Sequence, residues 1–195
     1  MNANFAARDL FGGAVSMELP ENFASISEVR PLADNQECWT DADSDQSIIL
    51  EILGHDEDVS NENCAQHYWE DNVSCNDAGE GSNSITIGSR EVTDRIITRI
   101  CSNMPISSSN VVPPTCWAIS GIQRVSKFKE LARNEVNVHM VVIRLPSVDT
   151  DFVIHFNQPR VLDPSSSSAA VAQTTEAITA DSGAGLLESL VCSLK

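Results

Sequence analysis

Three groups of residues in this chain have the types and spacing that chemistry could use. Asp41, Asp43 and Asp45 set carboxylates at alternate positions, as the opening of a calcium-binding EF-hand loop does. The rest of that loop fails. Its sixth position needs a glycine for a sharp turn and holds Gln46, and its twelfth needs a bidentate Glu and holds Ile52. No structural calcium site is expected. The six cysteines (Cys38, Cys64, Cys75, Cys101, Cys116 and Cys192) are irregularly spaced and contain no Cys-x-x-Cys pair. That argues against zinc and dithiol redox chemistry and for reduced thiols acting as small hydrophobes. His139 and His155 lie in two segments that read as neighbouring strands, and a hydrogen-bonded pair on the sheet surface is their expected meaning. A metal or catalytic pair would need a further ligand. A phosphate-cradling Gly-x-x-x-x-Gly-Lys-Ser/Thr loop is absent, so the chain is not expected to hydrolyse nucleotides in the P-loop manner. The expectation is a binding protein with no cofactor, no metal and no bond-making residue of its own.

What the side chains offer in quantity is negative charge. Among 195 residues, 28 Asp+Glu outweigh 12 Lys+Arg, for a formal charge of -16. Nucleic acid and anionic membranes are bound through Lys and Arg, so both are disfavoured as partners. The basic cluster Arg124, Lys127, Lys129, Arg133 has only Phe128 among it as an aromatic, a weak basis for stacking on bases. The 42% of hydrophobic residues is too high for a wholly disordered chain. No segment approaches the roughly 20 apolar residues of a membrane span. The first residues lack a basic stretch followed by an apolar one, so a secretory leader is not expected. A soluble, monomeric, intracellular protein is anticipated. Its charge is uneven: Pro31 to Glu80 carries fourteen acids and no Lys or Arg, whereas Ile85 to Arg144 carries eight bases and four acids. Such a region either solubilises a surface or projects a field that draws a basic partner.

These groups must be positioned by a frame, and strands dominate it. Residues 13–19, 47–53, 116–125, 136–145 and 151–156 alternate or run apolar as strands do. The last two flank Pro146-Ser-Val-Asp-Thr150 and predict an antiparallel hairpin. Gly121 suggests a bulge. Short helices are predicted at 25–29 and 93–101, and a longer one from a Ser60 cap to about Asn72, with Ala65, Tyr68 and Trp69 on one face. Leu186, Leu187, Leu190, Val191 and Leu194 form the apolar stripe of a C-terminal helix. The Ser-rich stretch 163–182 before it reads as a mobile loop. Successive strands without intervening helices indicate one α+β domain, an antiparallel β-sheet flanked by helices.

The order of several short motifs goes further. Leu10-Phe-Gly-Gly-Ala14, Arg30-Pro-Leu-Ala-Asp-Asn-Gln-Glu37 and Asp45-Gln-Ser-Ile-Ile-Leu-Glu-Ile-Leu53 resemble the opening of the Ran guanine nucleotide release factors, the Mog-type family. Tyr68-Trp-Glu-Asp71, Ile143-Arg-Leu-Pro146, Thr150-Asp151 and Phe156-Asn-Gln-Pro159 resemble its later segments. The resemblance spans roughly Leu10 to Pro159. It implies the fold that this family shares with the PsbP proteins, binding to the small GTPase Ran, promotion of guanine nucleotide release, and a role in nuclear protein import from nucleus and cytoplasm. It implies a Ran-facing acidic cluster, carried here by Asp34, Glu37 and Glu51. Gly54 stands where the family has a further acid, and Asp56 follows it; Glu70 and Asp71 end the aromatic-Glu-Asp motif. A PsbP-like scaffold without release activity is the alternative.

Glu51 is the sharpest of these positions. It interrupts the apolar run Ile48–Leu53, where a carboxylate is costly unless it faces water or a partner. In a strand it shares a face with Ile49 and Leu53.

Overall fold

The computed structural model describes residues 4–79, 84–92, 94–103, 112–126, 131–170 and 180–195. Strands β1 (Phe5–Leu10) and β2 (Val15–Pro20) form a separate antiparallel hairpin. Then follow β3 (Ala24–Ser25), β4 (Gln36–Asp41), β5 (Gln46–Gly54), α1 (Asn61–Cys75), β6 (Ser84–Glu91) and α2 (Asp94–Asn103). The chain continues through β7 (Thr115–Val125), β8 (Asn134–Leu145), β9 (Thr150–Val161) and α3 (Ala180–Cys192). The main sheet has the order β3-β4-β5-β9-β8-β7-β6, antiparallel at every junction. This is the α+β architecture that the strand pattern implied. The predicted β8–β9 hairpin is present, closed by a 3-10 turn at Pro146–Val148 and by Asp149 at φ 51, a left-handed conformation that Asp tolerates.

Alternation along each strand sorts the sheet into two faces. On one, Ile48, Leu50, Val141, Ile143, Ile154 and Phe156 are sealed beneath α2, α3 and the β1–β2 hairpin. Leu187, Leu190, Val191 and Leu194 supply the α3 stripe, as its spacing predicted. The last residue lies against β2, with Ser16 and Lys195 exchanging two backbone hydrogen bonds of 2.9 Å. On the other face, Val138, Met140, Val142 and Val153 pack under Cys64, Ala65, Tyr68 and Trp69 of α1. This helix lies mainly over β6, β7 and β8, and among the described residues no other α-helix packs on the same face of β4 and β5. Gly121 lets the helix approach: a Cβ there would stand 2.4 Å from Trp69 Cη2. The predicted bulge lies across from it, where the register shifts between Thr86 and Gly88 of β6.

Other expectations are corrected. His139 pairs with Phe156 and His155 with Met140, so the two histidines point to opposite faces and form no pair. The 25–29 helix is a single 3-10 turn, Ile26–Glu28. Ser60 holds the N-cap position of α1 without a side-chain cap bond, and the helix runs one turn beyond Asn72. In the Ser-rich stretch, Ser166 and Ser168 are buried, and Asn134 clamps this segment by donating to Ser166 Oγ and accepting from the Asp163 N–H, both at 2.9 Å. Residues 171–179 of that stretch lie outside the described residues.

Candidate functional site

The open part of the second face holds the most distinctive chemistry. Glu51 projects from β5 onto this face, since its strand neighbours Ile48 and Leu50 alternate with it into the sealed core. Three quarters of the side chain is covered. Gln36 Nε2, across on β4, donates to Glu51 Oε1 at 2.9 Å, and His155 Nε2 on β9 lies 3.3 Å from Oε2. The His155 ring chiefly, and the Gln36 amide after it, hold this carboxyl below its ordinary value despite the opposing effect of burial. Glu51 is therefore ionised throughout the neutral range. Beyond β5 the chain turns through Asp56, whose Oδ2 is 4.0 Å from His67 Nε2, while Asp71 Oδ2 approaches the same nitrogen to 3.7 Å. Asp56 and Asp71 thus share one histidine. Glu51 is tied to the residue after Asp71, because Asn72 Nδ2 lies 3.1 Å from His155 Nδ1.

The remaining three expected residues sit differently. Asp34 is exposed just before Asn35, whose backbone and side chain both bond to Ile52. Glu70 is exposed on α1, accepting from Gln66 Nε2 at 2.8 Å. Glu37 faces the opposite side of the sheet and accepts the Phe11 backbone N–H at 2.8 Å, fastening the β1–β2 hairpin to β4. The structure brings Glu51, Asp56 and Asp71 to one side of the sheet, leaves Asp34 exposed just before β4, and turns Glu37 to the other side.

A buried polar anchor fixes the loop that carries Asp56. Arg144 and Asp151 are 2% and 0% exposed, with Arg144 Nε 3.3 Å from Asp151 Oδ2. Tyr68 Oη donates to Asp151 Oδ2 at 2.9 Å, and His55 Nδ1 sits 2.7 Å from Oδ1. Burial first, and the Asp151 carboxylate second, push the Tyr68 phenol up, so it remains a donor. The guanidinium also donates to the backbone carbonyls of Asp56 and Val59 and to Asn61 Oδ1. The partners that Arg144 holds here run from His55 to Asn61, seven residues of chain, so the loop's path is set from beneath.

Charge matching separates the acids from the bases. Arg144 is paired with Asp151, Arg124 with Glu135 at 2.7 Å, and Arg90 with Glu188. Among the described residues, no Lys or Arg lies within ion-pair distance of Asp34, Glu51, Asp56, Glu70 or Asp71; their partners are histidines and amides. The thiols offer no rival chemistry. Burial pushes Cys64 up to about 12, and it raises Cys38 and Cys116 as well, so none of these is an activated nucleophile. Among the described residues no cluster of three His, Cys, Asp or Glu side chains is placed to hold a metal. No helix there is long and apolar enough to cross a membrane.

Comparison with known proteins agrees with this architecture. The family described as "Ran-interacting Mog1 protein" matches residues 8–159. A zebrafish protein named Ran guanine nucleotide release factor is 38% identical over 185 residues, covering 94% of each chain. A Dictyostelium discoideum protein named probable ran guanine nucleotide release factor is 33% identical over 174 residues, covering 89% of this chain and 83% of its own. The crystal structure of the Saccharomyces cerevisiae Ran-binding protein Mog1p superposes with a TM-score of 0.67 at 20% identity, over 100% of this chain and 96% of the other, a likeness of fold.

Proposed function

This chain belongs to the Mog1 family of Ran-interacting proteins, and we propose that it binds Ran as a monomer through the open face of its sheet and speeds loss of Ran's guanine nucleotide. The observation that carries this is the set of carboxylates, Asp34, Glu51, Asp56, Glu70 and Asp71, that no Lys or Arg of the described residues neutralises. A GTPase holds its nucleotide with a P-loop lysine, Mg²⁺ and mobile switch segments. Carboxylates offered to those cationic groups compete for them and favour the nucleotide-poor state. A protein that binds that state more tightly accelerates release without breaking any bond. A hundredfold shift in nucleotide affinity requires about 2.7 kcal/mol of coupling, which a few interfacial charge pairs supply. Activity in nucleus and cytoplasm, in support of nuclear protein import, follows from the same family membership as part of the proposal.

The test is release of a fluorescent guanine nucleotide from loaded Ran, with and without the protein, at low and at physiological salt. Acceleration is expected, together with an association rate that falls markedly as screening shortens the Debye length to about 8 Å. No acceleration of release would overturn the proposal. Acceleration with a salt-independent association rate would remove the acidic face from it.

A further inference from the structure

Glu51 is oriented by a chain of side chains that starts beneath α1. Gln123, fully buried on β7, donates from Nε2 to Asn72 Oδ1 at 2.8 Å, and Asn76 Nδ2 donates to the same oxygen at 3.1 Å. With its oxygen taken twice, Asn72 presents Nδ2 to His155 Nδ1, 3.1 Å away. An amide nitrogen only donates, so His155 Nδ1 must offer a lone pair and the ring proton sits on Nε2. That nitrogen is the one facing Glu51 Oε2, at 3.3 Å. Among the described residues Glu51 is the one charged group within ion-pair distance of His155.

We propose that Asn72 and His155 are positioning residues that keep the imidazole neutral, so that Glu51 meets its partner in one orientation and with its full negative charge. This rests on the open face being the Ran-binding surface. A neutral N–H steers a carboxylate without cancelling it, whereas an imidazolium at the same place would remove the charge that the partner is to find. Protonation of His155 also requires the Asn72 amide to turn over, because Nδ1–H cannot face an NH₂ group. Acid is therefore expected to weaken the site in two linked steps, by neutralising Glu51 and by breaking the amide chain behind it.

The decisive variant is Asn72→Asp. It keeps an oxygen for Gln123 and Asn76 but turns a second oxygen on His155, which then takes up its other proton. Nitrogen-15 NMR of the imidazoles in the full chain at neutral pH should show wild-type His155 protonated at Nε2 alone and the variant ring doubly protonated. Nucleotide release from Ran should fall about tenfold in Asn72→Asp. In a His155→Gln background, where no imidazolium can form, the same substitution should cost less than twofold. A doubly protonated wild-type ring, or an equal loss in both backgrounds, overturns the proposal. A ring that changes state as expected while release stays unmoved overturns Ran binding at this face and leaves the ring assignment standing, so the two failures are distinguishable. If Asn72→Asp does not fold, the wild-type protein still decides: release must decline with the same midpoint as the second protonation of His155, and a decline at any other pH overturns the proposal.

Discussion

The two faces of the sheet are built on different principles. The face under α2, α3 and the β1–β2 hairpin is closed by aliphatic and aromatic side chains. The α1 face is apolar over β7 and β8, but towards β5 and β9 it is organised by hydrogen bonds: Arg144 and Asp151 at one end of the helix, Asn72 and His155 nearer the other. Apolar burial stabilises without regard to direction, whereas hydrogen bonds and ion pairs fix direction at modest net gain. The closed face supplies cohesion, and the α1 face spends part of its area aiming carboxylates.

The largest effect is expected where the α1 face does carry stability. Asp151→Ala leaves Arg144 buried and uncompensated and should cost about 3–5 kcal/mol in urea unfolding. A loss below about 1 kcal/mol would mean that the anchor is dispensable. Next come paired substitutions, one on each face. Leu190→Ala, fully within the closed core, should cost about 2–4 kcal/mol yet leave release per folded molecule unchanged. Glu51→Lys should do the reverse: about 1 kcal/mol or less of stability, with release cut at least tenfold, about 1.4 kcal/mol. If both variants move both readouts together, the division between faces is wrong.

The smallest effects come from acid, and they separate the faces by pH. Burial lowers the His139 imidazole from 6.5 on the closed face, where its Nε2 abuts Gly183 of α3. The unfolded state therefore takes up a proton first. This contribution is complete above pH 6.5 and drains away as pH falls from there towards the lowered native value. Glu51 is lowered from 4.5, so its contribution is complete above pH 4.5 and is lost only below that. Stability measured against pH should flatten over the upper window in His139→Gln and over the lower one in Glu51→Gln. Identical profiles in all three proteins would sink this division by pH.

What could be read from sequence follows the same division. Strands with a continuous apolar signal, β5, β7, β8 and β9, were legible because burial dictates their composition. Strands β4, with Gln36, Glu37 and Asp41, and β6, with Arg90 and Glu91, escaped because their side chains are largely polar, and β1 escaped because Arg8 and Asp9 interrupt its apolar residues. Ser166 looked like a loop residue, yet its hydroxyl can be buried because Asn134 satisfies it. The acidity of residues 31–80 marked the region of the candidate site, but not its supports. His155 was visible only as a companion of His139. The hairpin register places them on opposite faces, and that register depends on the turn at 146–149 rather than on either strand. Gln36, Asn72 and Arg144 carry no local signal, because their roles arise from contacts across tens of residues.

The junction between β5 and β9 also bears on how the chain is made. Ser47 pairs with Asn157, 110 residues later, so β5 has no partner on that edge until β9 has been synthesised. At roughly 5–20 residues per second, its edge waits on the order of 5–20 s on the ribosome. An unpaired strand reading Ile-Ile-Leu-x-Ile-Leu is the kind of segment that joins a neighbouring chain instead of its own. The residue at x is Glu51. During that interval a charge in mid-strand, with acids at Asp45 and Asp56 on either side, repels a second nascent copy carrying the same charges. A carboxylate that stands on the open face of the finished protein thus also guards the unfinished one against itself.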